Sequence, residues 1–320
     1  MEQLVVPRTL QEAVVYFANP DRALAFMVQL RWPNGVVCQL CGSRDAKFIP
    51  TRRLWECPNK HAKRQFSIKK NTIMEDSPIP LEKWLPAIWM ISNCKNGISS
   101  YELHRALKVT QKTAWFMLHR IRLAMQNAEG GGMMWGTVEV DETYVGGKAR
   151  NMHADHKAKK IKGRGTAGKA AVLGLLQRHG KGKSKVRATV IHTPQRERLQ
   201  GEIRKHVEEG SNVFTDEHAG YVGIAPAYEH RVINHAETYV RGMVHTNGIE
   251  NFWSLLKRGI RGTYVSVEPF HLFRYVDEQV FRFNERKNED GDGGRFLRVV
   301  SSVFGERLMY KNLIAKAATT

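Results

Sequence analysis

Of the chain's 320 residues, 50 are Lys or Arg and 31 are Asp or Glu, giving a formal net charge of +19 at 42% hydrophobic content. That share of apolar residues supports a buried core, the length leaves room for two domains, and the charge excess attracts polyanions, so nucleic acid is the first partner to consider. No apolar run nears the roughly 20 residues a spanning helix needs, and MEQLVVPRTLQEA lacks a signal peptide's charged start and apolar centre; the expectation is a soluble, cytoplasmic protein without a membrane partner.

Residues 7–32 read as helical, with Leu24, Phe26, Met27, Leu30 and Trp32 forming an apolar stripe before the turn at Pro33-Asn34-Gly35. A short, basic, loop-rich segment follows and holds Cys38, Cys41, Cys57 and His61. Residues 81–127 look all-helical; within them two short helices are expected, joined by a turn near Val109. The second, Gln111 to Met125, carries Lys112, His119, Arg120 and Arg122, a pattern that fits a helix-turn-helix reading duplex DNA in the major groove, or simple helical packing. The Gly-rich stretch at 129–133 reads as a boundary.

From Gly136 the texture changes. Strands are expected at TVEVDETYV, at 170–176 and at 185–193, then a helix with Pro194 near its start and Gly210 after its end, then a strand running into Asp216. Such an order builds an α/β sheet that begins with antiparallel hairpins. Between the first two strands, residues 148–169 hold eight Lys or Arg and one acid, a loop suited to solvent or to a DNA backbone. Gly291–Gly294 precede a last amphipathic helix expected at 295–315. The resulting division is a helical segment at 1–35, a zinc ribbon at 36–70, a helix-turn-helix-like region at 78–128, an α/β domain at 134–290 and a C-terminal helix at 291–320.

Cys38-x-x-Cys41 and Cys57-x-x-x-His61 make two ligand pairs separated by 15 residues. A tetrahedral Zn2+ takes four N or S ligands, and a segment this poor in apolar residues needs such a cross-link to fold, so one structural zinc is expected. Cys94 lies in an apolar helix and reads as core.

Acids pose the harder question. Strand side chains alternate, so Glu139 and Asp141 share one face of TVEVDETYV and Val138 and Val140 the other. Either this is an edge strand with a solvated face, or the carboxylates hold something. Asp216 ends another strand, Glu250 follows 34 residues later on an amphipathic helix, and Lys257 lies seven residues beyond it on the same face. Two carboxylates from strands and a third from a helix can hold a pair of Mg2+ ions, with Mn2+ as a substitute, for phosphodiester chemistry. Against this, Asp216 fits a turn, and Asn247-Gly-Ile-Glu250 fits a helix capping box. Glu139 reads as a salt-bridge partner, Trp253 as core, and His245 and Asn247 as residues orienting the site.

The segments VEVDETYVGGK, VFTDEHAGY and HTNGIENFWSLLKRGIRGTYVSVEPFHLFRYVDEQVFRFNER, with RWPNGVVCQLCG and QFSI upstream, resemble bacterial insertion-sequence transposases related to the Merlin group. The likeness covers about residues 20–290 and departs where the family's second Cys-x-x-Cys pair would fall, which puts His61 in the fourth ligand position. It implies an RNase H-like fold, an Asp-Asp-Glu triad at Asp141, Asp216 and Glu250, and metal-dependent cleavage and transfer of double-stranded DNA. Terminal inverted repeats and target DNA would be the substrates, and a dimer or larger assembly would join two ends. A zinc-ribbon regulator with an inactive α/β domain and a stand-alone nuclease are the competing functions.

Overall fold

The computed structural model describes residues 4–128, 130–146, 168–180, 182–233 and 245–315; the basic segment read as a DNA-contacting loop at 148–169 lies almost entirely outside them. Two compact units emerge: Met1–Cys94, Ile98–Ala128 and Asn288–Ala315 form the first, and the second is built mainly from Glu129–Lys287.

The first unit begins with two helices where one was expected. Helix α1 (Leu10–Phe17) and α2 (Pro20–Arg31) are separated at Asn19, whose side chain accepts hydrogen bonds from the N–H groups of Asp21 and Arg22 while Pro20 occupies the first helical turn. An Asn cap followed by Pro is a strong start signal, and it overrides the continuous apolar stripe. Strands β1 (Lys47–Ile49), β2 (Leu54–Glu56) and β3 (Gln65–Phe66) pair antiparallel in that order. Helices α3 (Leu81–Asn93), α4 (Ser100–Leu107) and α5 (Gln111–Ala128) follow; a capping box of Ser99 and Glu102 starts α4, and Lys108 ends it in the left-handed region. The turn near Val109 is therefore present.

In the second unit β4 (Thr137–Val145), β5 (Ala170–Gln177), β6 (Lys185–Ile191), β7 (Asn212–Thr215) and β8 (Glu229–Val232) form one mixed sheet, ordered β6-β5-β4-β7-β8. The first three strands are antiparallel neighbours, whereas β7 and β8 run parallel to β4. So β4 is central, and the edge-strand reading of its acids is wrong. Helix α6 (Arg196–His206) covers one face, where Val138, Val140, Leu173 and Leu175 pack against Leu199 and Ile203. Helices α7 (Asn247–Gly259) and α8 (Leu272–Asn284) cover the other, where Val172 and Leu176 meet Ile249, Phe252, Trp253 and Val276. The alternation read from the sequence is correct: Glu139 and Asp141 point to the α7 side. Strand β8 had no expectation of its own.

The C-terminal segment returns to the first unit. Instead of one helix at 295–315 it forms α9 (Gly291–Ser301) and α10 (Tyr310–Ile314), broken after Ser302 where Ile73 donates to the Val303 carbonyl at 2.9 Å. Phe296 of α9 stacks on Phe26 with ring centres 5.9 Å apart, beside Phe17. Three of the four basic residues expected on the second helix of the pair are also corrected: His119, Arg120 and Arg122 are buried. Arg120 donates to the backbone carbonyls of Glu75 and Leu308, each at 3.1 Å, so this face of α5 is a core face and not a groove-reading one. No helix among the described residues is long and apolar enough to cross a membrane.

Candidate metal centres

In the first unit, Cys38, Cys41, Cys57 and His61 present ligand atoms that all lie within 4.8 Å of one another. A tight turn and a closed loop deliver them: Gly42 N–H donates to the Cys38 carbonyl and Cys57 N–H to that of Arg64, each at 2.9 Å. Cys38 Sγ stands 3.4 Å from His61 Nε2, and Cys41 Sγ 3.4 Å from Cys57 Sγ. The Ser43 backbone N–H holds the Cys41 thiol down at about 6, whereas burial pushes Cys57 up to about 11. Adjacent thiols cannot all ionise unless a cation sits among them, which is what a zinc ion supplies when it binds four such ligands. Donor type, number and spacing therefore fit zinc, with His61 standing as the fourth member of the cluster.

Three outcomes follow for the purified protein and its variants. It is expected to contain about one zinc per chain by elemental analysis, and Cys57→Ser is expected to unfold the small β1–β3 sheet locally, visible as lost amide protection over 36–66. His61→Ala is expected to weaken zinc by more than about tenfold against a competing chelator, the loss that even an outer-shell partner can cause. Unchanged affinity would assign the fourth ligand elsewhere.

In the second unit the acids gather where β7 ends. β4 pairs with β7 over Thr137 to Glu139 against Asn212 to Phe214, so Asp141 and Glu142 extend past the last paired residue and Asp216 follows immediately after β7. Carboxylate oxygens of Asp141, Glu142 and Asp216 lie within 4.8 Å of one another. Asp216 also makes a turn contact, its Oδ1 accepting from the His218 N–H at 3.1 Å, so the turn reading describes part of its role. Burial, reinforced by the neighbouring carboxylates, pushes Asp141 up to about 6 and Glu142 up to about 7. Three acids this close in a partly dry site fit a hard divalent cation, which would restore them to their charged forms.

Trp253 is core, as expected, and more. Its Nε1–H donates to Asp141 Oδ2 at 2.9 Å. The indole can lie there because Gly174, the register partner of Asp141 on β5, has no side chain: a Cβ at 174 would come within 2.5 Å of the ring. Glu139 takes the salt-bridge role. Only 1% exposed, it accepts from Arg178 Nε at 2.7 Å and from the Ile249 N–H at 2.9 Å, in the first turn of α7. Its oxygens also approach the Gly248 Cα so closely that a Cβ there would lie 2.9 Å away. Arg178 donates in turn to the His245 carbonyl at 2.6 Å. A buried carboxylate at the positive end of a helix thus fixes the start of α7 to β4. Arg178→Met is expected to destabilise this unit by about 3–5 kcal/mol, because it leaves Glu139 buried without its cation; a chemical-denaturation change below about 1 kcal/mol would contradict that role.

The other two predicted residues sit on α7. Glu250 is exposed and outside the three-acid cluster, its Oε1 accepting from Thr246 Oγ1 at 3.0 Å, yet its charge helps to raise Asp141. Thr246 stands at the N-cap position without a side-chain cap bond, and Asn247 is already inside the first turn, so the expected capping box with Asn247 as the cap is not the observed one. Partial burial and the neighbouring Arg261 lower Lys257, while the negative charge of Asp141 opposes them. Glu142 is the member of the cluster that the sequence pattern did not single out. Alternation sends it to the opposite face from Asp141, and only the early end of β7 lets both side chains reach one point.

A cluster of three thiols and an imidazole on one unit, and a cluster of three carboxylates on a mixed α/β sheet on the other, give the protein two groups of side chains able to hold a metal. Residues 19–59 match the transposase zinc-ribbon domain, and residues 133–284 match the ISXO2-like transposase domain. A relative, the uncharacterized protein in transposable element ISH50 of Halobacterium salinarum, is 28% identical over 254 residues, 76% of this chain and 83% of its own length. Over both units, then, the chain is similar to insertion-sequence transposases.

Proposed function

We propose that the chain cuts and joins DNA as an Asp-Asp-Glu transposase: the zinc-ribbon unit binds the terminal inverted repeats, and the second unit breaks a phosphodiester bond and joins the freed 3′-hydroxyl to target DNA. The observation that carries the reading is the meeting of Asp141 and Asp216, from neighbouring parallel strands, at the point where β7 ends. The strand order β6-β5-β4-β7-β8, three antiparallel followed by two parallel, supports the RNase H-like assignment.

Asp141, Asp216 and Glu250 are assigned as the acids that hold two Mg2+ ions, Mn2+ being an acceptable substitute. When bound, the paired ions activate the attacking oxygen and stabilise the leaving one. The chain's own residues do the positioning. Trp253 orients the Asp141 carboxylate, Glu139 and Arg178 hold the start of α7, and Lys257, two turns after Glu250, is placed to meet a phosphate near the reacting strand. The helix pair α4–α5 is assigned to the DNA-binding unit, where contacts fall to exposed cations such as Arg105, Lys108 and Lys112. Joining two element ends calls for two such sites, so the active form is a homodimer or larger. A labelled duplex of the element's own end, incubated with protein, Mg2+ and plasmid, is expected to yield end-joined plasmid, and none with EDTA. Binding without any joined or nicked product would leave only a DNA-binding role.

A further inference from the structure

The acid cluster contains one member to which the triad gives no task. The Glu142 side chain is only 6% exposed, and its Oε1 is buried with no hydrogen-bond partner among the described residues. Its neighbours do not relieve it. His218 Nδ1 lies 3.9 Å away but already accepts the Gly220 N–H at 3.1 Å, so it turns a lone pair, not a proton, toward the carboxylate. The Tyr221 hydroxyl stands close enough to favour the charged form, yet it makes no hydrogen bond of good geometry with Glu142. A buried acid with an unsatisfied oxygen is costly unless something positive reaches it. The groups that do reach it are the carboxylates of Asp141 and Asp216, within 4.8 Å, and these make its position worse in the absence of a cation.

We propose that Glu142 is a metal ligand, so that Asp141, Glu142 and Asp216 hold one divalent cation before DNA arrives and without help from Glu250. The inference rests on reading Asp141 and Asp216 as the metal site. It divides the acids by burial: the three at the end of β7 form a resident site in which the Glu142 side chain is only 6% exposed, whereas exposed Glu250 on α7 belongs to the site only when a second ion and substrate are present. Hard cations of this class accept several carboxylate oxygens and retain water in the remaining positions, which suits a pre-loaded ion waiting for a phosphate.

The test uses the full-length, zinc-loaded protein without DNA, titrated with Mn2+ and read by calorimetry and by thermal shift. Mn2+ is expected to raise the melting temperature of the wild type. Metal-free Glu142→Gln is expected to melt at or above the wild type, because a buried, unpartnered acid has been replaced by a neutral group of the same shape. Its Mn2+ affinity is expected to fall about tenfold or more, as for Asp216→Asn, while Glu250→Gln stays within roughly threefold of wild type. Wild-type Mn2+ affinity in Glu142→Gln, with affinity lost in Asp216→Asn, would overturn the proposal and leave the metal-site reading standing. Wild-type affinity in Asp141→Asn and Asp216→Asn as well would overturn both. Should Glu142→Gln fail to fold, Glu142→Asp carries the test, with the same fall in affinity expected and wild-type affinity overturning the proposal.

Discussion

Asp141→Asn and Asp216→Asn are each expected to slow strand cleavage on the order of 10³-fold, the scale on which removing one preorganised charge-stabilising group acts in other enzymes. Each substitution removes a negative charge from a cluster whose oxygens lie within 4.8 Å of one another, and so lowers both the affinity for the cation and the accuracy with which it is placed. Binding to the element's ends is expected to survive, because most contacts to DNA are made to phosphates by cations elsewhere on the chain. Folding should survive too. Burial holds the Asp141 carboxyl up at about 6, above its unfolded value of about 3.9. A raised carboxyl favours the folded state only while it is protonated, so in metal-free protein its ionisation costs stability as pH rises from about 4 through 6. Asparagine removes that cost, and metal-free Asp141→Asn is therefore expected to melt no lower than wild type at pH 8. Cleavage near the wild-type rate in either variant, measured on labelled end duplex with Mg2+, would remove these residues from the chemistry.

Glu250→Gln is the second large expected effect: a folded, end-binding and inactive protein, against an Asn247→Ala variant that is folded and only impaired. The two residues lie on one turn of α7, and the choice between them rests on charge, since an anion binds Mg2+ far better than an amide does. The competing role for Glu250 is local. Its Oε1 accepts from Thr246 Oγ1 at 3.0 Å at the helix start, a contact that Gln can also accept. Losing such a terminal contact costs about 0.5–2 kcal/mol and leaves chemistry intact, whereas losing a ligand changes the rate by orders of magnitude with little change in melting temperature. Rate and melting temperature measured on the same preparations separate the two. An active Glu250→Gln beside a dead Asn247→Ala would reverse the assignment.

Much of this was legible in the chain because short-range chemistry carries it. Two ligand pairs within 24 residues gather into one cluster whatever surrounds them, and the period-two alternation of TVEVDETYV places Glu139 and Asp141 on one face without knowledge of the sheet. What alternation does not encode is the strand's neighbours. An edge strand and a central one with acids toward a helix read alike, and only pairing with β5 and β7, 30 and more residues away, distinguishes them. The same limit hid Glu142, whose approach to Asp141 depends on where β7 stops. Arg120 and Arg122 misled for a related reason. Long cationic side chains on a helix read as solvated, but Arg120 is satisfied by carbonyls of Glu75 and Leu308, which no local pattern brings near. At the chain's start, in contrast, the deciding signal is local: Asn19-Pro20 divides the helix expected at 7–32 despite its unbroken apolar stripe.

The most direct measurement of the central claim is the position of Mn2+ by anomalous scattering in crystals of the protein bound to a duplex of its element's end. The account predicts manganese within about 2.2 Å of carboxylate oxygens of both Asp141 and Asp216, on the side where the scissile phosphate lies. Manganese bound elsewhere, with this cluster empty beside an ordered DNA end, would contradict it.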